Sequence, residues 1–275
     1  MSLSSLEDQA LRAMLSLLED MRPFEVLTTT DSKGWVVDPG SPLGIDDARI
    51  DPYHLSHLAW QALGVGVDHL QCLRSSLIGD QHSGSSAPMN VTLHIYAPAT
   101  LLRAAFENAC RAVWLLAPTN RLTRLQRRLS LQNDSNRHSD RLHKLFGATP
   151  PRAPEVRKKQ IIQLAVDAGT APGDVNKVLR FVGFQNVVRE AGEHLGIGQD
   201  HADAIWSMCS AIAHGDVHNL SFLDREIVAT EENVALAKLT SNVQLLLRAA
   251  DLSSQMLRHG FSLYEKSAAK PSGNT

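Results

Sequence analysis

Along most of this chain the apolar residues recur every three or four positions, the spacing of one helix face, and the breaks fall at clusters of proline, glycine and aspartate. Leu6, Leu11, Met14, Leu15, Leu17, Leu18 and Met21 form a broad stripe that Pro23 ends, so the chain opens with an amphipathic helix. From Pro23 to Pro52 the turn formers dominate. "FEVLTTT" and "GWVV" are the strand-like pieces there, and the pattern fits either a small hairpin or an ordered arm lying over helices. Helical spacing returns from Leu55 to Leu77, with Asp51 as N-cap and Pro52 at the first helical position; Gly64 and Gly66 weaken this helix or let another approach closely.

After a loop at "IGDQHSGSSAPMN", the run from Pro98 to Pro118 is apolar around most of its circumference, the signature of a central helix. Arg121 to Lys159 reads as a helix, a shorter helix, a turn at "TPPRAP" and a further helix. Short helices follow at "APGDVNKVLRFVGF" and "QNVVREAGEHLGIG", the second ended by Gly196 and Gly198, and then one over about His201 to His214. The run from about Glu231 to Tyr264 predicts the longest helix. The expected fold is all-α, a multi-helix bundle with at most a minor strand or hairpin near the N-terminus. It forms a single domain over 1–266 with an irregular arm at about 23–52 and a disordered tail at 267–275.

Composition supports a globular chain, 43% hydrophobic and 20% charged, and a net charge of -2 gives no overall attraction to polyanions. The distribution is uneven. Between Arg121 and Lys159 eleven Lys or Arg stand against three acids, which leaves the rest of the chain acidic. Arg121, Arg124, Arg127 and Arg128 cluster at helical spacing as candidates for polyanion binding, RNA above all, against the plainer alternative of a solvated helix face. Between Arg121 and Lys159 Phe146 is the sole aromatic residue, so base stacking is not indicated. Cys72, Cys110 and Cys209 sit apart among apolar or small residues, a pattern of buried thiols in a reducing compartment. The acidic start and the lack of a long uncharged apolar run predict a soluble, cytoplasmic protein with no membrane partner.

Two helices carry candidate chemistry. In the central one Arg103, Glu107 and Arg111 stand four apart with Trp114 continuing the row, either an intrahelical ladder or guanidiniums lining a pocket for phosphate or carboxylate. In "WSMCSAIAHGDVHN" a narrow row of Ser207, Ser210 and His214 leaves room for a partner's long side chain, and the arginine row is the proposed partner. His214 ends its helix, with Gly215 as left-handed cap, or acts as acid or base. A metal pair with His218 lacks a third ligand, and phosphate-loop, dinucleotide and nucleophile-elbow motifs are absent, so no metal and no cofactor are expected.

Arg103, Glu107 and "WLL" at Trp114 to Leu116, together with Ser210, His214 and Gly215, resemble an uncharacterised family of actinobacterial helical proteins. That family is itself similar to the HEPN-like class, many of whose members are metal-independent ribonucleases. The resemblance spans about Thr100 to Asp216. It implies an Arg and a His, separated by four to six intervening residues, where two helices of a homodimer meet. Here Ser207, Met208 and Cys209 occupy the arginine's place, so the cation would come from Arg103 or Arg111; Arg137 and His143 in "RHSDRLH" match the spacing elsewhere. The resemblance implies a protein that binds or cleaves RNA in a defence or regulatory setting, through His214, Ser210, Arg103, Glu107 and Arg111. The alternative is a non-catalytic interaction protein in which these residues form a buried polar lock.

Overall fold

A computed structural model describes residues 5–78, 91–216, 221–232 and 234–270 of the chain, and among them the fold is mostly helical. The loop expected at 78–90 falls from 79 onward outside the described residues, as do 271–275 of the expected tail. Helix α1 (Ser5–Glu19) follows its predicted stripe. Leu11, Met14, Leu15 and Leu18, with Met21 just beyond, are buried against α4 (Leu55–Ile78) and α11 (Val243–Ala268), while Leu6 at the outer end stays exposed.

The arm contains no strand. Its first strand-like piece is α2 (Arg22–Leu27), started by Pro23, with the Thr28 and Thr29 hydroxyls donating back to the carbonyls of Phe24 and Val26. A threonine hydroxyl at a helix end satisfies a carbonyl there as readily as the residue fills a strand. "GWVV" is a turn strapped to α11, where the Tyr264 hydroxyl donates to the Trp35 carbonyl at 2.8 Å and Phe24 packs on Phe261. Helix α3 (Pro42–Arg49) follows, capped by Ser41. Asp51 does not cap α4. The buried Asp47 does so from eight residues upstream, accepting the N–H groups of Leu55 at 2.7 Å and Ser56 at 3.0 Å.

Helix α5 (Ala97–Leu116) is central, as its all-round apolar sequence requires; it packs against α4, α11, α9 (Phe184–Leu195) and α10 (Gln199–His214). Two glycines bring its neighbours close. A Cβ on Gly66 would stand 2.8 Å from Leu257 and one on Gly260 2.8 Å from Leu63, whereas Gly64 faces open space. Helix α6 (Arg121–Leu145) is one unbroken helix rather than two, and α7 (Pro154–Asp167) follows the proline turn. A short helical passage, α8 (Val175–Val178), leads to α9, which Gly196 ends in the left-handed conformation.

The predicted longest helix is divided. Residues up to Ser241 form an antiparallel hairpin, β1 (Leu223–Glu231) with β2 (Val234–Ser241), and α11 begins only after Asn242, whose side chain accepts the Leu245 N–H at 3.0 Å. The hairpin therefore lies near the C-terminus, not the N-terminus. Helix α11 runs to Ala268, into the first residues of the expected tail. The buried apolar residues form one continuous cluster, and no helix among the described residues is long and apolar enough to cross a membrane.

Candidate functional site

The polar row on α5 is met by an aromatic residue. Glu107 pairs with Arg103 at 3.2 Å on its own helix and accepts the indole N–H of Trp206, on α10, at 2.9 Å; the Arg103 guanidinium lies 5.4 Å from the Trp206 ring centroid. The same arrangement recurs at the other end of α5. Glu190 on α9 accepts the Trp114 indole N–H at 3.1 Å and pairs with Arg127 of α6, whose guanidinium sits 4.6 Å from the Trp114 centroid. Each site joins an arginine, a tryptophan and a shared carboxylate across helix interfaces. A carboxylate that is both charge-paired and hydrogen-bonded holds both partners in register.

Of the residues expected to act together, the structure joins Arg103 and Glu107. Arg111 turns aside to donate to Asn108 at 2.6 Å. Ser210 is half-buried and His214 is exposed at the end of α10, next to the left-handed Gly215, and neither bonds Arg103, Glu107 or Arg111. Ser207 donates to Asp203 of its own helix at 3.1 Å. His218 lies outside the described residues. Arg137 and His143 both belong to α6; Arg137 is exposed, while His143 Nδ1 is 2.8 Å from the Ser139 carbonyl.

The arginine cluster at the start of α6 points into the protein. Arg121 and Arg124 bond the two oxygens of Asp46, at 2.8 and 2.7 Å, and Asp46 is fully buried. Arg127 joins Glu190 and the Trp114 carbonyl. Arg128, 7% exposed, donates to the His54 carbonyl and to Gln132, both at 3.0 Å, and lies 5.8 Å from the Tyr53 centroid. A helical spacing of arginines therefore marks staples to α3, α9 and the α4 entrance.

Sequence reasoning missed what Arg111 and Arg128 have in common. Both line one cavity of about 590 Å³, between α4, α5, α6 and the start of α9, with His57, Leu58, Gln132, Asp134, His138 and Phe184 among its walls. Burial lowers both guanidinium pKa values, that of Arg128 to about 10, with Tyr53 and Asp47 opposing the shift, while Glu107 opposes it at Arg111. Neither makes an ion pair within the described residues, and Arg111 Nε is buried without a hydrogen-bond partner. Asp134, the acid on this wall, is approached by His138 at 3.4 Å and Arg137 at 3.8 Å. In the sequence the two arginines are 17 positions apart on different helices, and no local pattern links them.

Among the described residues, fold and site define a mostly helical protein with two tryptophan-centred polar locks and a cleft shared by Arg111 and Arg128. No protein-family model, curated protein or solved structure matches the chain.

Proposed function

We propose that this chain is a HEPN-like helical bundle that binds RNA, and that it does so with the far end of α6 and the facing part of α7 rather than with the arginines at the start of α6. The observation that carries the reading is where the unpaired cations stand. Arg141, Lys144, Lys158 and Lys159 are all exposed, and none has a carboxylate partner among the described residues. Beside them a groove of about 580 Å³ is lined by Arg137, Lys158 and Arg180 with the amides of Asn133 and Asn136. Its acids are Asp140, which Arg157 neutralises, and Glu155. Cations on flexible stems around a polar groove suit a phosphate backbone and read shape more than sequence.

The reading is of binding without cleavage in one protomer, because among the described residues neither an arginine nor a carboxylate is bonded to His214. Three free thiols fit a cytoplasmic setting. Filter binding of single-stranded RNA across a salt series tests the reading. A triple variant, Arg141→Gln, Lys144→Gln and Lys158→Gln, is expected to lower affinity and reduce the log-log salt slope by about 2. Equal binding by the triple variant overturns the assignment. Incubation of RNA with the protein and with His214→Ala is expected to leave it intact in both; cleavage that depends on His214 would restore the nuclease reading, with a second copy supplying the cation.

A second reading, a non-catalytic interaction protein held by a polar lock, is favoured by the paired arrangements at Glu107 and Glu190. It is compatible with RNA binding, since these locks lie at helix interfaces away from the α6–α7 groove.

A further inference from the structure

We propose that the cleft between α4, α5, α6 and α9 binds a small organic phosphomonoester, with the phosphate held between Arg111 and Arg128 and the organic part against Leu58, Leu131 and Phe184. The argument rests on how differently this protein treats its inward-facing arginines. Arg121, Arg124 and Arg127 each meet a carboxylate. Among the described residues Arg111 and Arg128 bond only neutral oxygens, those of Asn108, the His54 backbone and Gln132, although both are removed from most of the solvent. A guanidinium that loses water without gaining an anion is costly to hold, and two on one cavity wall are costlier, unless an anion completes the site.

The chemistry of the wall selects the anion. Two planar forks supply several N–H donors, among them the unpartnered Arg111 Nε, and a dianionic phosphate has oxygens enough to accept from both. One carboxylate can bridge two guanidiniums, as Asp46 does between Arg121 and Arg124, but its two oxygens and single charge answer fewer of these donors than a dianionic phosphate does. The cavity, about 590 Å³, is several times larger than a phosphate group and falls within the range of small-ligand sites. Its apolar wall makes an organic body part of the ligand, and the exposed rings of His57 and His138 stand at the same cavity. The proposal is independent of the RNA reading, whose groove lies across α6 between that helix, α7 and α8.

Calorimetric titration of the intact protein with inorganic phosphate, phenyl phosphate, succinate and phenol tests it. Saturable binding is expected for both phosphates, tighter for phenyl phosphate, with phenol and succinate silent. Arg111→Met should weaken phenyl phosphate by about tenfold or more, while the Arg141, Lys144 and Lys158 triple variant should bind it unchanged. Because Arg128 also supports the α4 entrance, its role is read on the wild-type chain: phenyl phosphate should protect Arg111 and Arg128 from phenylglyoxal, scored by peptide mass, and leave Arg141 reactive. No saturable binding of either phosphate, equal binding by a folded Arg111→Met variant, or no protection of the two arginines would each overturn the proposal. Succinate binding as tightly as phenyl phosphate would overturn the choice of phosphate.

Discussion

The Trp206 indole donates to the Glu107 carboxylate across the α5–α10 interface at 2.9 Å, and that one contact decides what the polar row of the central helix does. With Arg103 on the other side of it, Glu107 links two helices instead of presenting a charge to substrate. Trp206→Phe keeps the ring over Arg103 but removes the donor, and is expected to cost about 1–2 kcal/mol. Glu107→Gln removes the charge that both guanidinium neighbours feel. Urea denaturation of both single variants and of the double variant measures the coupling, expected near 1 kcal/mol; strict additivity would mean that the two side chains do not act as a lock.

Asp46 carries a heavier role. It is fully buried and holds the Nε atoms of Arg121 and Arg124, so its carboxylate ties α3 to the start of α6. Asp46→Asn leaves two guanidiniums facing a neutral amide in a desolvated site, and a loss of roughly 3 kcal/mol is expected because removing one partner of a buried pair strands the other. Arg121→Gln alone, from the more exposed side, should cost under about 1 kcal/mol. Thermal unfolding of the two variants gives the ratio; similar small losses would show that the carboxylate is replaceable.

How much of this was legible in the sequence follows from which interactions are local. The all-round apolar character of α5, the stripe of α1, the Gly66 approach and the Gly196 and Gly215 caps were readable because period and capping act within a few residues. The hairpin was not. β2 is built from Val, Ala, Leu and Lys, three of which favour helices, and Ile227, Val228 and Leu236 face outward, so no alternation of buried and exposed positions announces a strand. Asn242 was the available signal, an N-cap eleven residues after the expected helix start. At the site, the arginine cluster was visible but its direction was not, because a charged helical face looks the same whether it meets water or Asp46. Trp206 stands in the same stretch as His214, but an aromatic residue carries no formal charge that would mark it in the sequence as the partner of Glu107.

The three cysteines differ in environment, and this makes a direct check of the core. Cys110 and Cys209 are buried; burial raises both thiol pKa values, Cys209 to about 12, with Glu107 adding to the effect at Cys110 and Arg103 opposing it at Cys209. Cys72 is exposed. A thiol reagent at pH 8 is expected to titrate one group in the native protein, Cys72, and all three after denaturation. Cys72→Ser should abolish the native signal. Reaction of Cys209 in the folded protein would show that the α5–α10 interface opens readily, against the lock described above.

His194 at the end of α9 and His259 on α11 place ring nitrogens 3.0 Å apart, so one must donate and the other accept, and two protonated rings cannot share the contact. Burial, then His194 and Lys266, lower the pKa of His259 below its ordinary value of 6.5. The sign follows from the proton count. Below pH 6.5 the unfolded chain takes up a proton that the folded chain resists, so the folded state loses stability as pH falls from that value toward the lowered one, and nothing is lost above it. The melting temperature is therefore expected to be flat from pH 8 to about 7 and to drop as pH falls below about 6.5. His259→Gln keeps a polar side chain without the titration and is expected to flatten the acid side of the profile. A variant whose melting temperature falls in parallel with the wild type would assign the acid sensitivity to other groups.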